Sequence, residues 1–333
     1  MHSSISSSEP KDHPATHAGG SPQLRLATIA VIALFVAVLL GAEILSRYAF
    51  PRISQIEGRI RRDEYQAMSI RAPAPGSPPT VLLAGNSLLL RGLDYPKIRT
   101  EMVPDARVIR FGIENTEYLD WYYGLHHMFA SGVHPSIVVL CLNMGQTVSS
   151  RTLGDYSSRH LFGVSDLLPV AHDAGMGATR TSGLILAHWS AFYASRATIR
   201  NFILNYTDPP YARAMHAIAD STAVPLPADD ELIRTARKRL NSIQQLCDQY
   251  GVKLVLLIPP SLGRYNDLLA SAAGLEHVSV DYPLPLGTMG PEFFADGTHL
   301  NAKGAAIFTD AIARCLRARL GNANNEVGRL QGR

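Results

Sequence analysis

The sequence predicts a three-layer α/β fold: a parallel sheet with helices on both faces, one helical insertion, and a transmembrane helix at the N-terminal end. Three observations carry this. Short, continuously apolar runs alternate with amphipathic stretches between residues 80 and 320, the pattern of strands buried on both faces and joined by helices. Residues 147–229 break that alternation and contain no convincing strand. Leu26 to Ala42 reads LATIAVIALFVAVLLGA, without a charge.

The bulk numbers narrow the class. The chain has 333 residues, 46% of them hydrophobic and 18% charged, which suits a globular fold and excludes a disordered one. A formal net charge of +3, without a Lys/Arg-rich block, gives no reason to expect nucleic acid as a partner. Cys141, Cys247 and Cys315 are far apart and flanked by apolar residues, so they read as buried small hydrophobes rather than a metal or redox set.

Taken in order, residues 1–24 are rich in Ser, His, Pro and Gly and read as a disordered tail. Residues 25–46 read as an uncleaved transmembrane anchor: about 20 residues at 1.5 Å each span roughly 30 Å, enough for the hydrocarbon core. A cleaved signal peptide fits less well, because its apolar region is shorter and ends at a small-residue site. Residues 47–79 read as a polar helical stalk followed by a Pro-rich linker, Arg71 to Pro79, that cannot continue a helix. The folded domain is expected over 80–320 and a disordered tail over 321–333.

Within that domain the strand candidates are Thr80–Ala84, Arg107–Phe111, Ser136–Leu142 and Lys253–Ile258, with a weaker one at His277–Val280. Helical patterns lie around 92–103, 116–131, 230–250 and 302–320. The insertion, with an aromatic-rich stretch from His188 to Tyr206, reads as a helical subdomain or lid.

In an open parallel sheet, ligands bind beyond the carboxyl ends of the strands. There the sequence places Gly85-Asn86-Ser87 after the first strand, Gly112 after the second, Asn143 after the third, and Asp296-Gly-Thr-His299 before the final helix. A serine hydroxyl is a weak nucleophile until a base takes its proton. His299 is the candidate base, and Asp296 the group that fixes its tautomer. The backbone N–H groups of Ser87 and Gly112 and the Asn143 side-chain amide are candidate oxyanion donors. Glu114 and Asn115, just after Gly112, are candidates for substrate contact. Alone, each motif is ordinary: Gly-Asn-Ser is a common turn, and Asp-x-x-His before a helix is often only an N-cap. His126 and His127 lie beside aromatics in a helical stretch and read as structural. No cofactor and no metal site is expected.

These blocks resemble the SGNH/GDSL superfamily of esterases and O-acyltransferases. The matching positions are Gly85-Asn86-Ser87, Gly112, Asn143 and Asp296-x-x-His299, and the run from Phe294 to Gly304 is the most specific. The resemblance covers 80–320 apart from the insertion. It departs from the family at Asn86, where Asp is common, and at Cys141-Leu-Asn143-Met144, where the family has Gly-x-Asn-Asp. It implies a flavodoxin-like three-layer fold, Ser87 as nucleophile, Asp296 and His299 as its partners, and an oxyanion hole from Ser87, Gly112 and Asn143. With the anchor, it further implies an esterase, deacetylase or O-acyltransferase acting on an exported glycan or similar ester. By analogy of architecture, partners would be a multi-spanning membrane acyltransferase or glycan export machinery. The location implied is a bacterial inner membrane with the catalytic domain in the periplasm. Arg47, Arg52, Arg59, Arg61 and Arg62 behind the helix pull the other way under the positive-inside rule. The alternative reading is a non-catalytic SGNH-like scaffold or glycan binder. The sequence lacks the Gly-x-Ser-x-Gly elbow of the α/β-hydrolases. The stretch after the first strand is too apolar for a phosphate loop.

Overall fold

The computed structural model describes residues 22–74, 76–103, 105–211, 214 and 226–331, with no side chains described beyond 321. The chain divides into two units, Met1–Ile44 and Leu45–Arg333. In the first, α1 (Pro22–Ile44) has no buried residue and is long and apolar enough to cross a membrane. The expected tail over 1–24 lies outside the described residues, apart from 22–24, which begin α1.

The second unit opens with a π-helical turn, Leu45–Ala49, then α2 (Phe50–Ile53) and α3 (Gln55–Met68). There follow β1 (Thr80–Gly85), α4 (Ser87–Gly92), α5 (Tyr95–Glu101), β2 (Arg107–Gly112), α6 (Tyr118–Ala130) and β3 (Ile137–Cys141). After β3, α7 (Met144–Val148) leads into the insertion, which carries α8 (Asp155–His160), α9 (Leu167–Asp173), α10 (Ala178–Trp189) and α11 (Ala191–Thr207). The chain then runs through α12 (Asp229–Gln249), β4 (Lys253–Leu257), α13 (Tyr265–Leu275), β5 (Ser279–Asp281) and α14 (Ala302–Gln331).

The five strands are parallel in the order β2-β1-β3-β4-β5. This is the flavodoxin-like order, whose switch point lies between β1 and β3. The pleat sends alternate residues to opposite faces, and two cores result. Leu82, Ala84, Phe111, Val138, Leu140 and Leu256 pack on one side with α6, α12 and α13. Val81, Leu83, Val108, Val139, Val255 and Leu257 pack on the other with α5 and α14. Each fully buried Leu or Val stabilises by about 1.5–3 kcal/mol, so covering both faces is what makes an all-apolar strand such as TVLLAG stable in water.

Residues 47–79 do not form the stalk expected of them. They are helical over 55–68, but α3 packs along edge strand β2, with Ile60, Ala67 and Ile70 buried in the larger core. Several of its charged residues are used inward, while Arg61 and Arg62 stay exposed. Arg59 donates to the Gly112 carbonyl at 2.7 Å and to both Glu114 carboxylate oxygens at 2.6 Å, and Arg110 donates to Asp63 at 3.1 Å. Partly buried ion pairs of this kind give a core-facing helix a polar composition, which is why it read as solvated.

Residues 321–333 were expected to be a tail, but α14 continues to Gln331. Gly321 alone does not stop it, and no proline follows. The described residues of the insertion form helices joined by short loops, with no strand among them. Tyr156, Leu161, Phe162, Leu167, Val170 and Leu184 join the larger core. Tyr156 donates its hydroxyl to buried Glu57 of α3 at 2.5 Å.

Candidate active site

Strand register sets the geometry. Gly85 of β1 pairs with Gly112 of β2 and Cys141 of β3, so the three strands end level. Ser87 and Asn143 each follow two residues later on adjacent strands, on either side of the switch point.

Asn86 is the N-cap of α4 and is fully buried. Its Oδ1 accepts from Leu88 N–H at 3.0 Å, and its Nδ2 donates to the Thr116 carbonyl at 2.9 Å. Thr116 in turn accepts from Trp121 Nε1 at 2.9 Å and donates to the Ile113 carbonyl at 2.7 Å. The 113–116 loop is therefore tied to the residue beside Ser87. An amide, with both donor and acceptor, serves both contacts; an ionised Asp has no proton for the Thr116 carbonyl. Ser87 is the first residue of α4, so its N–H belongs to the first turn, where no intrahelical acceptor exists.

His299 reaches Ser87 from the other end of the domain. Phe294 and Leu300 form an antiparallel bridge and are buried in the second core. Ala295 N–H donates to the His299 carbonyl at 2.8 Å, and Gly297, at φ +78°, turns the tip. The tip presents Asp296 and His299. Asp296 Oδ1 accepts from the N–H groups of His299 at 2.8 Å and Thr298 at 3.1 Å. Its Oδ2 lies 2.9 Å from His299 Nδ1, and His299 Nε2 lies 2.9 Å from Ser87 Oγ. A carboxylate only accepts, so Nδ1 carries the proton and Nε2 is left to accept from the serine. The helix-capping role belongs instead to Asn301, whose Oδ1 accepts from Lys303 and Gly304 N–H at 3.0 and 3.1 Å.

Hydrogen bonds hold Asp296 ionised. The His299 N–H is the largest contribution; burial opposes it, but the His299 side chain and the Thr298 N–H add to it, and together they lower the carboxyl to about 2. Its side chain is 47% exposed, and Arg91 at 3.7 Å is an exposed neighbour of little energetic weight.

The other candidates fall differently. Asn143 caps α7: its Oδ1 accepts from Gln146 N–H at 2.9 Å, which fixes the amide and directs Nδ2 away from the cap. Among the described residues that Nδ2 has no hydrogen-bond partner. Gly112 does not face Ser87. Ile113 N–H bonds to the Gly85 carbonyl, so by strand alternation the N–H and C=O of Gly112 face the outer edge, where Arg59 takes the carbonyl. The glycine is needed for packing instead, since a Cβ there would lie 2.7 Å from Leu90 Cδ2. Glu114 is clamped by Arg59, and Asn115 adopts a left-handed backbone at φ +59°. Both line a cleft of about 760 Å³ between α3 and α11. Arg59 and Thr116 were not among the sequence candidates. A polar residue just past the exit of the second strand was the one local signal for Thr116, and nothing local marked Arg59.

Cys141 and Cys247 are buried and unpaired, with burial pushing both thiols up. His126 Nδ1 lies 2.7 Å from Asp166 in a structural pair away from Ser87.

No protein-family model matches the sequence, and no curated protein matches it. Several solved structures are similar. A GDSL-like lipase from Bacteroides thetaiotaomicron is 11% identical, with a TM-score of 0.40 over 79% of this chain and 98% of that one. TesA is 16% identical, with a TM-score of 0.36 over 72% and 98%. The psychrotrophic esterase EstA from Pseudoalteromonas is 10% identical, with a TM-score of 0.36 over 73% and 98%. The similar structures include a GDSL-like lipase and an esterase, and at these identities the likeness is one of fold.

Proposed function

We propose that this protein is a membrane-anchored serine hydrolase of carboxylic esters. The carrying observation is the linear relay Ser87–His299–Asp296, with two contacts of 2.9 Å at the carboxyl edge of a parallel sheet. Ser87 Oγ attacks the ester carbonyl carbon as its proton passes to His299 Nε2. The tetrahedral oxyanion is met by the Ser87 N–H, the Asn143 Nδ2 and a backbone N–H of the 113–116 loop. We assign the third donor to that loop rather than to Gly112, because the Gly112 N–H faces the outer edge. As the C–O bond breaks, the imidazolium returns its proton to the leaving alcohol. Water, deprotonated by the same nitrogen, then cleaves the acyl-serine, releasing the acid and restoring the serine.

Water is the acceptor we favour, because the Asp296 and His299 tip is open to solvent. Transfer to a hydroxyl of an exported glycan is the finer alternative, and it requires that an acceptor sugar outcompete water.

The full-length protein should be labelled by a fluorophosphonate, with a single adduct located on Ser87 by mass spectrometry. Labelling should vanish in Ser87→Ala and fall by about 10³-fold or more in His299→Ala. A folded wild-type protein that stays unlabelled would turn the reading to a non-catalytic scaffold. Adding soluble glycan to a turnover assay separates hydrolysis from transfer by the appearance of acylated sugar.

A further inference from the structure

We propose that the helical insertion docks on the bilayer, with α10 and α11 seated in the headgroup layer of the membrane that α1 crosses. This goes beyond ester hydrolysis and rests on the reading of α1 as a membrane anchor.

The α10 and α11 helices expose large apolar side chains that the domain core does not use. Trp189 is 62% exposed, Phe202 43% and Tyr206 87%, with Leu186 and Ile203 beside them in sequence. The segment that follows the anchor carries its own exposed apolar set, Leu45, Tyr48 and Ile53. Two contacts join these sets within the second unit. Arg47 donates to the Trp189 carbonyl at 2.7 Å, and Phe50 packs edge-on against Phe202 with ring centroids 5.9 Å apart.

The occupant follows from chain reach. Leu45 is bonded to Ile44, the last residue of α1. From Leu45 to Arg47 and Phe50 the chain is helical, and at 1.5 Å per residue these lie only about 3 and 8 Å along it. The headgroup layer on each side of the hydrocarbon core is itself about 5–8 Å thick. If α1 spans the core, the residues that touch Trp189 and Phe202 lie within that layer or at its outer margin. The chemistry agrees. Trp and Tyr are favoured at headgroup depth, and Arg47, Arg52 and Arg200 add cations suited to anionic lipid. A soluble partner or a second copy would have to reach this face through the same layer.

The two tryptophans supply the test. Trp121 is fully buried, whereas Trp189 is exposed. The full chain would be reconstituted in vesicles of phosphatidylcholine and phosphatidylglycerol, with and without acyl chains brominated near the glycerol end. The expected result is loss of part of the tryptophan emission in brominated vesicles, and no such loss in Trp189→Phe. A second variant, Phe202→Asp with Ile203→Asp, should float with the vesicles and keep Ser87 labelling while losing most of the quenching. Flotation separates the failures. Protein that does not float with vesicles removes the anchor reading and the docking with it. Protein that floats but shows Trp189 quenched only by aqueous iodide overturns the docking alone. Protection of Trp189 from both quenchers also overturns it, in favour of a second copy covering the face.

Discussion

Asp296 shows how local geometry decides a residue's role. Both of its oxygens are committed, Oδ1 to two backbone N–H groups and Oδ2 to the imidazole. Replacement by Asn keeps an acceptor for the backbone but offers an N–H₂ or an amide oxygen to Nδ1, and the tautomer is no longer fixed. Asp296→Asn should lower kcat for ester hydrolysis by about 10⁴-fold, with the fold unchanged by circular dichroism. The pH consequence follows from the carboxyl's depressed value of about 2. Its unfolded counterpart titrates near 3.9, so the native contacts stabilise fully above that pH. The contribution is lost as pH falls through about 2. Acid unfolding profiles of the wild type and Asp296→Asn should therefore converge below pH ~2 and separate above pH ~4. Profiles that separate only in the most acidic range would contradict the assignment. Because Asp296 stays charged throughout the neutral range, it does not set the acid limb of an activity profile.

At the scale of elements, the first turn of α4 and the end of β2 are fitted to each other. The Cβ of an alanine at 112 would press on Leu90. Overpacking of this sort costs about 1–3 kcal/mol. Gly112→Ala should lower the unfolding midpoint accordingly, and adding Leu90→Ala should recover part of the loss. A double-mutant cycle in urea would read that coupling, and strictly additive effects would contradict the contact. Much of this level was legible beforehand. The five strand runs were visible because strands buried on both faces leave unbroken apolar runs. The Ser87 and His299 blocks were visible because strand ends and the turn before α14 have characteristic residues. Polar burial was not legible. Glu57 and Asp63 are buried in α3 with Tyr156 and Arg110 as partners, and these partners lie 47 or more positions away. No local pattern distinguishes such a helix from a solvated one. The same limit concealed Arg59. It also led to Gly112 being read as an oxyanion donor, since which edge of a strand an N–H faces depends on pairing register.

At the scale of the molecule, α3 covers the open edge of β2, which would otherwise expose unpaired backbone groups. A fragment starting at Thr80, where the apolar alternation begins, lacks that cover, Ile60 and Ile70 of the core, and the Arg59 clamp on Glu114. Fragments beginning at Leu45 and at Thr80 should behave differently in size-exclusion chromatography. The first is expected to be folded and labelled at Ser87 in mild detergent, the second to aggregate or lose labelling. Equal behaviour of the two would mean that α3 is dispensable.

Under the proposed function, the boundary between the two units bears on where ester hydrolysis would take place. The unit that holds Ser87 begins at Leu45, the residue after the apolar helix ends at Ile44. An enzyme on a long leash searches a volume that widens with the leash. With the apolar helix in a bilayer, as proposed, the search would be confined to a lamina as deep as the domain itself, on the order of 40–50 Å for a unit of this size. Encounter would then become a two-dimensional problem. Turnover should follow the surface density of ester delivered into that layer rather than its bulk concentration, and an ester free in solution would be a poor stand-in for one held at the surface.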